Sequence, residues 1–155
     1  MRPLLLSILL VLPALAEARP CQLPDAARSY LAAATSPLVY AVVHGSFETD
    51  RATGALVEPF RLTGQRLTQS GFTTPFSEPV TYVYSCPAQM EGCPTFIAAP
   101  EPARGPILAF LEITDSGYVL TEQGCWSETV VPAPTAHDLA VVTACLQGAA
   151  CVPSN

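Results

Sequence analysis

The sequence predicts a mainly β fold: five strands rolled into a small closed barrel, flanked by two helices and stapled by disulfides. Three observations lead there. Short β-branched, alternating segments recur between turn residues along the whole chain. Two of them carry a bend signal, one at Gly45 and one as a parity slip at Leu67 just after Gly64. The chain has six cysteines, an even number, and they follow an apolar leader.

The leader sets the compartment. Met1 and Arg2 give a short basic start, LLLSILLVLPALA is apolar, and small residues stand at Ala14, Ala16 and Ala18. Cuts after Ala16 and after Ala18 both satisfy the A-x-A rule; the division taken is a signal peptide over 1–18 and one domain over 19–155. The apolar run is too short to span a bilayer, so no stable membrane insertion is expected after cleavage. Arg19 and Pro20 separate the small residues from Cys21, which argues against lipidation of that cysteine. All seven basic residues are arginine, and Ala and Pro are used heavily. That composition points to a GC-rich bacterial genome and so to the periplasm.

Charge narrows the partner classes. The net charge is −6, and the arginines are scattered rather than striped, which excludes nucleic acid and anionic membranes as expected partners. Sixteen prolines fall between apolar runs, and half the residues are hydrophobic, so the composition is globular.

The elements follow in order. LPDAARSYLAAAT places Ala27, Tyr30, Leu31 and Ala34 at helical spacing, with Ser36-Pro37 as its stop. LVYAVVHGSF alternates, with Val39, Ala41, Val43 and Phe47 on one side and Tyr40, Val42 and His44 on the other. ETDRATGA is turn-rich, and FRLTGQRLT is the second strand. QSGFTTPFSEP reads as a loop, VTYVYSC as the third strand, and CPAQMEGCPTF as a stapled loop. After the proline-rich APEPARGP, ILAFLEI is apolar almost throughout, as a central strand buried on both faces is. DSG then turns into YVLTEQGCW, with Gly117 in the left-handed position. TAHDLAVVTACLQG opens with a capping-box pattern, Thr135 to Asp138, and ends at Gly148; Leu139, Val142 and Leu146 form its buried stripe. Closure removes sheet edges, so this order suits an OB-like barrel with the helices plugging or bracing its ends.

The segments YAVVHGSF, TYVYSCPAQMEGC and GPILAFLEITDSGYVLTEQGCW, taken with the cysteine before the first helix, resemble a netrin-like domain over residues 21–130. That OB barrel occurs in tissue inhibitors of metalloproteinases and in the C-terminal modules of netrins and complement proteins. The resemblance implies a bond between Cys21 and Cys125, leaving Cys86–Cys93 and Cys145–Cys151 to close locally. The long pair would be worth about 4–5 kcal/mol in the chain-entropy model. Metalloproteinase inhibitors begin with C-x-C, which is missing here, so zinc-gripping chemistry is not implied.

The remaining chemistry is sparse. C-x6-C and C-x5-C are wrong for zinc fingers or ribbons, and with only two histidines no metal and no cofactor is expected. His44 and Ser46 share one side of a strand, with Glu48, Asp50 or Asp138 as orienting carboxylates, but nothing resembles a nucleophile elbow. His137 falls in the first turn of a helix, in solvent. Tyr82, Tyr84, Tyr118 and Trp126 offer either a stacking surface or packing for the barrel. The expectation is an exported binding or interaction module rather than an enzyme, with a protein partner in the envelope or outside the cell. Its contact surface would be the CPAQMEGC loop, since a stapled loop loses little entropy on binding. The alternative is a small exported hydrolase or small-ligand-binding protein.

Overall fold

A computed structural model describes residues 24–49, 59–85, 102, 104–123 and 128–154. Helix α1 (Ala26–Thr35) precedes strands β1 (Tyr40–Phe47), β2 (Arg61–Thr68), β3 (Gly71–Tyr84), β4 (Ile107–Thr114), β5 (Gly117–Glu122) and β6 (Val130–Pro132), and helix α2 (Ala136–Leu146) follows.

Five of the strands form a ring. β1 pairs with β2, β2 with β3, β3 with β5, β5 with β4, and β4 returns to β1; all pairings are antiparallel except β3–β5. β4 is the central element, with Ile107, Leu108, Ala109, Phe110 and Leu111 all almost fully buried. Ile107, Ala109 and Leu111 join Val43, Leu62, Phe76 and Leu120 in the ring interior, whereas Leu108 and Phe110 face a second core. A strand clothed on both sides reads as an unbroken apolar run, as ILAFLEI does.

The second core corrects the expected place of the helices. They do not plug the ends of the ring. α1 and α2 touch each other and lie together on its outer side, where Val142, Ala26 and Tyr30 cover Val42, Leu67 and Phe110. Asp25 caps α1 by accepting the Arg28 backbone N–H at 2.7 Å. Thr135 and Asp138 form the reciprocal capping box of α2, and Gly148 follows that helix with φ +87°. Residues 151–154 run back along α1: the Ser154 hydroxyl donates to the Asp25 carboxylate, and its backbone N–H donates to the same oxygen at 2.9 Å. Cys151 is bonded to Cys145, which ties this tail to α2.

Three further findings revise the strand assignments. TTPFSEP is part of β3, not a loop. The Val80 N–H donates to the Phe60 carbonyl at 2.8 Å, so even-numbered positions of this stretch turn toward β2. Pro75 and Pro79, at odd positions, lack N–H groups that would have pointed away from it, and they cost the ladder nothing. Gly45 produces no bulge: its pairing with Gly64 continues the register without a break, and the shift in register falls at Arg66/Leu67 instead. Gly45 and Gly64 are needed because the two backbones nearly touch. A Cβ on either would lie under 3.0 Å from the other strand's backbone. Finally, β6 adds a sixth strand on β4, three residues long and too short to show alternation.

Candidate functional site

The connection from α1 to β1 holds two of the large apolar side chains that stand exposed among the described residues. Ser36 and Pro37 end the helix, because the residue before a proline leaves the α region. The chain then crosses to β1 through Leu38 and Val39, which are 48% and 65% exposed. It is held there by two bonds. The Leu38 N–H donates to Ser36 Oγ at 3.1 Å, and the Ile113 N–H donates to the Val39 carbonyl at 2.8 Å. Ile113 is itself 37% exposed, so Leu38, Val39 and Ile113 make an apolar ridge on fixed backbone.

Two clefts, each of about 340 Å³, share Leu38 as a wall. The polar cleft runs between α1 and the β4–β5 sheet and is lined by Ser29, Ser36, Tyr40, Glu112, Thr121 and Glu128. Ser29 is only 2% exposed. The apolar cleft lies between α1, β1, β2 and the end of α2, lined by Tyr30, Ala34, Leu38, Val42, Leu67 and Arg66. Among the described residues Arg66 brings its only charge. Such concave, mainly apolar surfaces with a few polar groups suit recognition of a ligand or a partner side chain.

His44 is not brought into a nucleophile–base pair. It stacks edge-on against Phe72 with ring centroids 6.1 Å apart. Its candidate carboxylates are engaged elsewhere: Glu48 accepts from Thr63 and pairs with Arg61 at 3.9 Å, and Asp138 serves the α2 cap. Asp50 lies outside the described residues. Ser46 sits opposite Thr63, and His137 is exposed.

The tyrosines divide. Phe47, Phe60 and Tyr82 form an edge-to-face chain, and Tyr118 meets Phe76 at 5.0 Å, so Tyr82 and Tyr118 pack the ring interior. The Tyr82 hydroxyl donates to Glu122 at 2.9 Å. Burial, that hydrogen bond and the Glu122 charge hold the phenol far above its ordinary pKa of 10.0. Tyr84 is half-buried beside them, and Trp126 lies outside the described residues.

Of the predicted cysteine pairs, Cys145–Cys151 is a disulfide, with Cα atoms 4.9 Å apart. Cys21, Cys86, Cys93 and Cys125, the CPAQMEGC loop and the cleavage site after Ala18 lie outside the described residues. Among the described residues no three His, Cys, Asp or Glu gather as metal ligands, and no helix is long and apolar enough to cross a membrane.

Sequence reading missed the ridge, Arg66 and the two clefts. One signal was available: Leu38 and Val39 fall between a helix stop and the first strand, where neither element's periodicity assigns them a buried side. Comparison of the chain with family models, curated proteins and solved structures found no match to any of them.

Proposed function

We propose that this protein is an exported binding module, a netrin-like OB barrel stapled by disulfides, and that it docks a protein partner through the Leu38–Val39–Ile113 ridge. The observation that carries the reading is the fixed apolar ridge, since large side chains exposed together on rigid backbone favour burial against another surface. The closed order of five strands and the paired helices on one flank support the OB-like assignment.

The test is a photo-crosslinking residue at Val39 in the native envelope fraction, with Glu78, exposed on β3, as the control position. One stoichiometric protein adduct at Val39 and none at Glu78 supports docking. Equal labelling at both positions, or none at Val39, contradicts it. A second reading, small-ligand binding, is favoured by the clefts beside the ridge.

A further inference from the structure

The apolar cleft holds an unusual pairing of features. Its walls are Tyr30 and Ala34 of α1, Leu38, Val42 of β1, Leu67 of β2 and Leu146 of α2. Among these stands Arg66, whose side chain makes no ion pair or hydrogen bond with a described residue. The chain as a whole is acidic, with a net charge of −6. A lone cation in an apolar cleft of an acidic protein is a local inversion of charge, and an unpaired guanidinium beside apolar walls favours an anion that brings its own apolar body. Tyr30 and Tyr40 also line the cleft, and a tyrosine hydroxyl can donate to an anion. Among the described residues no carboxylate lines the cleft.

We propose that this cleft binds a small monocarboxylate with an aliphatic or aromatic body, its carboxylate on Arg66 and its body along Leu38, Val42, Leu67 and Leu146. The volume of about 340 Å³ is at the low end for ligand pockets, which fits a small amphiphile rather than a folded partner. Guanidinium suits the role because its planar fork meets a carboxylate with two parallel N–H donors. The inference stands apart from protein docking at the ridge: either can fail while the other holds.

The experiment is titration of the full exported chain with octanoate, followed by amide chemical shifts, with octanamide as the uncharged probe of the same shape. The expected result is saturable octanoate binding that shifts the amides of Leu38, Val42 and Leu67. Octanamide should bind at least about tenfold more weakly, since a charge-assisted contact is lost. Arg66→Gln should weaken octanoate by a similar factor, while Arg66→Lys keeps part of it. Ala34→Trp, at an exposed position on the cleft wall, should block binding with the rest of the spectrum unchanged. Octanamide binding as tightly as octanoate would overturn the proposal. So would shifts mapping to another surface, or no saturable shift at all. The octanoate–octanamide comparison needs no variant, so misfolding of a substituted chain leaves the test intact.

Discussion

Gly64→Ala is a one-methyl change with a large expected cost. Gly64 faces Gly45 across β1 and β2, and the two strands approach so closely there that a Cβ on Gly64 would lie 2.9 Å from the His44 carbonyl carbon and nearer still to the His44 oxygen and Gly45 Cα. All three are backbone atoms, so no side chain can swing aside. Relief requires the strands to part, which strains the pairs His44–Gln65 and Ser46–Thr63 beside it. Overpacking a fixed site costs about 1–3 kcal/mol, and backbone overlap belongs at the upper end. The usual gain of about 0.5–1 kcal/mol from stiffening the unfolded chain offsets part of this. The net loss should be about 2 kcal/mol or more, lowering the melting temperature by about 6 °C. Urea unfolding monitored by far-UV circular dichroism reads it directly, with the m-value unchanged. Gly148→Ala is the control: nothing lies within 4 Å of its Cβ position, and only its φ of +87° penalises alanine, by about 1 kcal/mol. If Gly64→Ala is as stable as the wild type, or no worse than Gly148→Ala, the close approach of β1 and β2 is wrong.

Other outcomes follow from the two cores and their ties. Phe110→Ala, which empties the layer between β4 and the helices, should cost about 3–5 kcal/mol in the same assay. Replacing Cys145 and Cys151 together by alanine opens a loop with a sequence separation of 6 and should cost about 2 kcal/mol. For Asp25, burial opposes ionisation, but the Ser154 hydroxyl, the Arg28 and Ser154 backbone N–H groups and the Arg28 charge together hold the carboxyl below 3.8. Its contribution is therefore complete above the ordinary carboxylate pKa and lost as pH falls through the lowered folded value. Asp25→Ala should cost about 1 kcal/mol near neutrality and flatten the acid limb of a stability–pH curve below about pH 4. Tyr82 works in the opposite sense: its raised pKa stabilises the fold fully below pH 10 and progressively less above it. It should ionise well above the ordinary phenol range in a 295 nm titration of the folded protein, and Tyr82→Phe should remove that step.

Much of the fold was legible where one physical signal dominated. The apolar run at 107–111 announced a strand covered on both faces, and the Thr135–Asp138 spacing announced a cap that closes on itself. The parity slip at Leu67 marked a real shift of register. Legibility failed where two signals conflicted. Pro75 and Pro79 read as loop residues because composition does not say which way a backbone nitrogen faces, and here both face away from β2, where no N–H is needed. The small face of α1, built from Ala26, Ala27 and Ser29, gave too little contrast to show that the helix lies against the ring rather than at its end. The clefts were out of reach for another reason. They are assembled from α1, β1, β2, β4, β5 and α2, and no single segment carries their pattern.

The central claim is an exported ring of strands whose covalent ties follow the netrin-like scheme, and peptide mapping of the unreduced, mature protein tests it most directly. The account predicts one fragment joining Cys21 to Cys125, one joining Cys86 to Cys93, and the Cys145–Cys151 link. Cys21 joined to Cys145, or a free thiol at Cys21 in folded protein, would contradict it.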